Sequence, residues 1–526
     1  MESILLTTPA QQKYSNPTVE LKPKKVVQWL AELPILNPII SAKALSEAIH
    51  GLNEQSIKPK DRFQLLELFR APVNDIFKSF DAEAIRRLPV SAKLRILVKE
   101  DIHTLCSELA NGYKLVVKQS VAEHLNPQKE SLFLHSIHNA MEQIVHSILQ
   151  IYRMGGALPL FSVLELHQLF SYAMQKMVQE VAIPLAGAEA GSESIAFLYK
   201  KIMLILISDP FKMEEGDVFF LYCQIDSLIG FCDIQSGMMG IKKNRYLIKP
   251  KEDRGPRELE ASMEATEGCY SIDFNPVFDL MVAKARDARE KNKELTPDEL
   301  RVAKILGKHL AGYIERKDPR VEAHRDVRVI FGVDAICYFL EEGADKLGEK
   351  AGENFGIQMQ EEGAEPKYAF EDWAVLNESV KGYLLATKHP NMSLLKVGSA
   401  LGIHVPVSGS NERKISVAVI RWVRGGANGA TELGAEIMPG NPHAVHCVSV
   451  EQPPAFAACQ AFFMPALPVL AIPSSLLAPK GIFSAGREIQ VIAKAKSTLV
   501  QANSIVMETA CLDRFDFIAV AKTESE

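Results

Sequence analysis

The sequence predicts a multidomain α+β protein with a mostly α-helical N-terminal half, a C-terminal antiparallel β-barrel, and further β-strands at the C-terminus. Three observations predict it. A chain of 526 residues is too long for one hydrophobic core and divides into several units. From about Val19 to Ile234 the apolar residues recur at helical spacing, as in VVQWLAEL, DRFQLLELFR and IHNAMEQIVHSILQIY. Beyond about Glu315 the pattern changes to short β-branched, alternating runs, which predict a small antiparallel barrel.

The first unit, residues 1–240, is expected to be a helical bundle or irregular helical array, because several of its helices carry too many apolar positions to lie singly on a surface. No fixed-period repeat names a solenoid. Residues 241–315 form a connector, rich at first in charge, Gly and Pro, that suits a small β-element. Its Thr296-Pro297-Asp298-Glu299 places an N-cap, a first-turn proline and a capping-box glutamate before Leu300, Ala303, Leu306 and Leu310, so a helix is expected to run to near Glu315. Over 316–440 the runs VRVIFGVDAICYFL, YAFEDWAVL, GYLLAT, ALGIHVPV, ISVAVIRWV and LGAEIM read as the barrel strands. An acidic, glycine-containing stretch between about Glu341 and Glu365 reads as a solvent-exposed insertion or short helix. Residues 441–526, with PALPVLAIP, REIQVIAKAK, SIVMET and FDFIAVA, supply further strands that extend the barrel or form a second one.

A formal net charge of -6 carries no basic surplus, which argues against bulk DNA or RNA binding. Eight cysteines without a C-x-x-C pair suit free thiols in a reducing compartment. The N-terminal MESILLTTPAQQKYSN lacks the basic and apolar regions of a signal peptide, and Pro465, Pro468 and Gln460 interrupt the longest apolar run, so a cytoplasmic chain with no membrane span is expected. No phosphate-loop, nucleophile-elbow or H-E-x-x-H motif nominates a reaction, and no enzyme is expected.

Two short motifs carry the chemistry. Arg316-Lys317-Asp318-Pro319-Arg320 gives R-x-x-x-R before the first strand, and Asn377-Glu378-Ser379-Val380-Lys381-Gly382 gives N-x-S-x-x-G between two later strands. A V-x-V-x-R-W strand and a G-x-E strand follow. In this order the elements resemble the PilZ domain, over about Arg316 to Met438. The resemblance implies a receptor for cyclic di-GMP, with the dinucleotide held by Arg316, Arg320, Asn377, Ser379 and Gly382, and with Trp422 at a position where some relatives set an aromatic ring beside a guanine. It implies no cofactor. The common family pattern has another arginine where Glu315 stands, and the insertion after strand one is long and acidic.

The residue types fit that ligand on chemical grounds. A guanidinium fork can engage phosphodiester oxygens or the O6 and N7 acceptors of guanine bidentately, and it stacks on flat rings. Asn377 and Ser379 suit a strand-end turn facing a purine edge, and Gly382 permits close approach of a backbone. Binding is expected to be converted into a conformational or partner-binding change, with a protein partner of unknown identity, in processes such as motility, pilus, biofilm or exopolysaccharide control. The alternatives are an interaction scaffold that keeps the barrel without a ligand, and a metal-binding helical bundle. For the latter, His135, His138, Glu142 and His146 share one helix face, which reads as solvated or boundary-facing because Ile137, Met141, Ile144 and Ile148 form a stripe on another side.

Overall fold

The structure, a computed structural model, describes residues 4–12, 19–34, 37–79, 92–185, 191–264, 266–310, 319–341, 368–392, 394–406, 413–426, 429–451, 453–468, 472–493 and 496–520. The chain forms two compact units, Met1–Ile314 and Glu315–Glu526.

The first unit is helical. Its long helices span Pro23–Ala31, Pro38–Glu54, Pro59–Ser79, Ala92–Ala122, Ser131–Met154, Ser162–Gln175 and Ile195–Ile207. The helix Ser131–Met154 lies at the centre, buried on every face from Phe133 to Tyr152. It stops at Gly155, whose φ of 67° is left-handed and whose amide, with that of Gly156, satisfies the last carbonyls. Two two-residue strands, β1 (Ile183–Pro184) and β2 (Ser192–Glu193), pair beside it. The expected small β-element is a four-stranded sheet of β3 (Asp233–Ser236), β4 (Arg245–Ile248), β5 (Arg257–Glu258) and β6 (Tyr270–Asp273), ordered β3-β6-β4-β5. A helix over Asn275–Glu290, not expected from the sequence, follows.

The expected capping box is formed. The Thr296 hydroxyl accepts from the Glu299 amide at 3.2 Å, and the Glu299 carboxylate accepts from the Thr296 amide at 3.1 Å, opening the helix Pro297–Leu310. The expected continuation to Glu315 lies outside the described residues, as does nearly all of the acidic stretch. No helix among the described residues is long and apolar enough to cross a membrane.

The second unit holds two closed six-stranded antiparallel barrels. The first comprises β7 (Val321–Phe331), β8 (Glu371–Ser379), β9 (Gly382–Thr387), β10 (Ala400–Pro406), β11 (Arg413–Gly425) and β12 (Thr431–Ile437), ordered β10-β11-β12-β9-β8-β7. The second comprises β13 (His443–Ser449), β14 (Cys459–Met464), β15 (Ser475–Pro479), β16 (Glu488–Ala493), β17 (Lys496–Glu508) and β18 (Leu512–Ala519). The C-terminal strands therefore close on themselves.

Inside the first barrel pack Val327, Val329, Phe331, Trp373, Val375, Leu385, Leu401, Ile403, Ala418, Ile420 and Leu433. The opposite faces of β7, β10 and β11 present Ile330, Ala400, Val417 and Val419 to Phe462, Met464, Leu477 and Leu512 of the second barrel, forming a core that the two barrels share. This explains the apolar run of β11: from Val417 to Ile420 the strand is buried on both faces, so it shows no in–out alternation.

Three sequence expectations are corrected. The run VRVIFGVDAICYFL is one strand only as far as Phe331. Gly332, at φ 91°, turns the chain, and Val333–Glu341 is a helix whose Ala335, Ile336 and Cys337 enter the shared core. A short apolar run of this length cannot be assigned to helix or strand by its pattern alone. PALPVLAIP is not a regular strand in its described part, which forms only the isolated bridge Leu467–Ile472; its prolines lack the amide that a ladder needs, and pairing resumes at Ser475.

The third correction is the His/Glu row of Ser131–Met154, which is enclosed, not solvated. His138, Glu142 and His146 are buried and His135 is half-buried. Neighbouring helices close over the polar side as well as the apolar stripe. Each buried member has its own partner: His138 pairs with Glu193 at 3.2 Å, Glu142 with Arg70 at 3.3 Å, and the His146 ring stacks on Phe77 at 3.8 Å. Among the described residues no three His, Cys, Asp or Glu side chains are grouped to hold a metal ion.

Burial drives the His146 imidazole down to about 4, against the pull of Glu142. Its folded value lies below its ordinary value of 6.5, so its contribution to stability is complete above pH 6.5 and is lost as pH falls towards 4. The Glu142 carboxyl is raised by burial, but Arg70, the largest opposing influence, holds it down to about 2; its contribution is lost below the ordinary 4.5. His138 is raised through its bond to Glu193 despite burial, and so opposes the His146 trend at acid pH. The urea midpoint of the helical signal at 222 nm should therefore fall between pH 6.5 and 4, and His146→Phe, which keeps the stack on Phe77, should flatten that fall.

Candidate ligand-binding site

Asn377, Ser379 and Gly382 meet at a tight hairpin. β8 ends at Ser379 and β9 begins at Gly382, with Ser379 and Gly382 directly paired across the two-residue turn Val380-Lys381. The Ser379 hydroxyl is 3.4 Å from the Lys381 amide and 3.5 Å from the Gly382 carbonyl, at the long limit of hydrogen bonding. Gly382 also faces Glu436 of β12. A Cβ added at Gly382 would stand 2.3 Å from the Ala435 carbonyl oxygen, so this glycine is required by the close approach of β9 to β12.

A register shift between Val375 and Asn377 decides which way the motif points. Val375 pairs with Leu385 and both are fully buried inside the barrel; Asn377, beyond the shift, pairs with half-exposed Leu384. The bulge thus turns Asn377 to the outer face. From there one cross-strand row runs over the barrel surface: Glu322 of β7, Asn377 of β8, Leu384 of β9, Gly434 of β12 and Trp422 of β11. Adjacent strands stand about 4.8 Å apart, so the three steps from Asn377 to Trp422 span about 14 Å.

Trp422 is half-buried and lies across Gly434; a Cβ there would come within 2.1 Å of the indole Nε1. The Arg424 guanidinium sits 4.9 Å from the centroid of the indole and is paired with Glu432 at 2.8 Å. On the neighbouring row, Arg421 binds Glu436 at 2.6 Å and reaches Met507 of the second barrel at 3.3 Å. At the mouth of the barrel, on the face opposite Asn377, Arg325 forms a two-point pair with Glu378 at 2.5 and 3.3 Å.

Arg320 is exposed and immediately precedes β7. Val321 pairs with Glu378 and Glu322 with Asn377, so extending the register by one residue sets Arg320 beside Ser379. Arg316 lies outside the described residues. The sequence motifs therefore meet where they can be followed: Arg320, Asn377, Ser379 and Gly382 share one end of the β7–β8–β9 surface, and Trp422 stands three strands away.

Sequence reasoning missed Gly434, Arg325 and Glu322. For Gly434 a signal existed, because an isolated glycine within a strand marks close approach by another group. For Arg325 and Glu322 none did, since their positions depend on the two bulges.

The closed six-stranded barrel with this hairpin and this entry strand is similar to a PilZ domain, and comparison with known families agrees over that part of the chain. A model described as the middle PilZ domain of the cyclic-di-GMP receptor FimW matches residues 344–444, which include Asn377, Ser379, Gly382 and Trp422 but not the arginine pair. Beyond that part the chain has the three-part order of one particular kind of protein. The N-terminal domain of the same receptor matches residues 24–237, and its C-terminal β-barrel domain matches residues 448–520. The cyclic-di-GMP receptor FimW of Pseudomonas aeruginosa is 22% identical, in an alignment covering 98% of this chain and 93% of that protein.

The glycine contacts give a graded expectation. Gly434→Ala must lift the indole, a movable side chain, whereas Gly382→Ala meets a backbone carbonyl that is fixed in the sheet. Overpacking costs about 1–3 kcal/mol, and Gly382→Ala should fall at the upper end and Gly434→Ala at the lower. Urea unfolding of both variants, with iodide quenching of the tryptophans, should show the larger midpoint loss for Gly382→Ala and the larger change in quenching for Gly434→Ala.

Proposed function

We infer that this chain is a receptor for cyclic di-GMP, which it binds without chemical conversion on the outer face of the first barrel. The observation that carries this reading is the convergence of Arg320 with the Asn377–Ser379–Gly382 hairpin at one end of a single surface row. The receptor name carried by a relative aligned over 93% of its length and by two of the matching models supports it.

In this reading Arg316 and Arg320 form the clamp. Guanidinium groups supply parallel donors to phosphodiester oxygens or to guanine O6 and N7. The other nearby arginines, Arg325, Arg421 and Arg424, pair with carboxylates of the same barrel. Asn377 offers an amide to a purine edge. Ser379 acts through the turn whose amide and carbonyl it approaches, and Gly382 by letting β9 lie against β12. Trp422 bounds the far end of the row.

Ligand bound between the arginine segment and the hairpin fixes that segment against the barrel and so creates a surface that a protein partner reads. Hydrogen exchange from Lys317 to Val321 should slow when cyclic di-GMP is added, and unchanged exchange at saturation would remove this ordering step.

Charge-assisted hydrogen bonds contribute about 1.5–3 kcal/mol each, so the variant carrying both Arg316→Ala and Arg320→Ala should bind about a hundredfold or more weakly. Asn377→Ala and Ser379→Ala should each cost less. Isothermal titration with cyclic di-GMP, GTP and cyclic di-AMP tests the assignment. Wild-type affinity in the double variant would move the site elsewhere, and absence of binding to the wild-type chain would favour an interaction scaffold.

A further inference from the structure

We propose that Glu322 sets the base preference of this face by accepting hydrogen bonds from the Watson–Crick edge of a guanine. The inference rests on the receptor reading above and names a specificity residue within it. Glu322 lies directly opposite Asn377 in the β7–β8 register, on the outer face and exposed. A register shift between Glu322 and Arg325 puts it there. Ala323 turns inward to the barrel core and Arg325 pairs with inward-facing Val375, so Glu322 shares the surface row of Asn377 and Leu384.

Its surroundings make this carboxylate unusual. Glu378, Glu432 and Glu436 stand in or beside the same region, and each is engaged by an arginine: Arg325, Arg424 and Arg421. Among the described residues, the Glu322 side chain makes no hydrogen bond or ion pair. A carboxylate beside a dianionic ligand is repelled by the phosphates unless it meets donors that offset the repulsion. The bases supply them selectively. Guanine presents N1–H and the N2 amino group side by side, a donor pair that fits the two oxygens of an ionised carboxylate, which can only accept. Adenine presents a lone pair at N1 beside its N6 amino group, so one oxygen would face another acceptor. With Asn377 across the strand gap, one row supplies a neutral amide and an anionic acceptor to a single ring edge.

The test is the ratio of the dissociation constants for cyclic di-AMP and cyclic di-GMP, measured by isothermal titration on the full chain. Glu322→Ala should lower that ratio by about tenfold or more, whatever it does to absolute affinity through the lost repulsion. Glu322→Gln should lower it further, because a carboxamide donates to adenine N1 and accepts from N6. Asp326→Asn, which removes the same charge from the outer face of the same strand one row away, should keep the wild-type ratio. A wild-type ratio in both Glu322 variants, or an equal fall in Asp326→Asn, would overturn the specificity role while leaving the receptor reading intact. A wild-type chain that binds neither dinucleotide would overturn both.

Discussion

Burial of one strand on both of its faces is the constraint on which the C-terminal unit depends. From Val417 to Ile420, β11 gives Ala418 and Ile420 to the interior of the first barrel and Val417 and Val419 to the core shared with the second. Neither barrel can be repacked alone, because alternate residues of one strand belong to different cores. The helix Val333–Glu341 fills the same seam, and Thr509 of the second barrel donates its hydroxyl to the Gly398 carbonyl of the first at 2.8 Å. Beyond Ile420 the register shifts and β11 leaves the seam, and there Trp422 and Arg424 become available to the outer surface.

The proposed recognition surface follows from where the first barrel's outer face is left uncovered. With β11 seated against the second barrel, the outer residues of β8, β9 and β12 remain, and bulges at Glu322/Arg325 and Val375/Asn377 decide which side chains join them. Each bulge exchanges inside for outside over a single step. Asn377 would face the hydrophobic interior without its bulge, beside Val375 and Leu385. Arginines paired with glutamates hold the rim of this surface, so its charge is largely fixed before any ligand arrives.

Much of this was legible in the sequence. The change from helical to alternating periodicity near Glu315, the Thr296–Glu299 capping box and the N-x-S-x-x-G turn are encoded in a few neighbouring residues, and local chemistry determines them. What could not be read depends on distant contacts. The polar row of His138, Glu142 and His146 reads as solvated on one helix, yet Arg70, Phe77 and Glu193 come from elsewhere in the chain to bury it. Val333–Glu341 reads as strand because its apolar residues serve a seam between two barrels, a partner no local pattern reveals. Glu322 carries no signal at all, since a register shift two residues away determines its face. The arginine motif was legible as a pattern, but its Arg316 lies outside the described residues and only Arg320 can be located against the hairpin.

The contact between Trp422 and Gly434 also favours an order in how this surface can change over evolutionary time. While the indole lies across β12, any side chain at position 434 must lift it, so replacement there is disfavoured. If Trp422 is first exchanged for a smaller residue, that obstacle is gone and Gly434 becomes free to acquire any side chain that suits a strand. The reverse path is disfavoured, because a tryptophan arriving opposite an occupied position 434 cannot lie flat across β12. Loss of the aromatic wall therefore acts as a ratchet: once a side chain has grown into its place, returning to the original surface favours two coordinated steps.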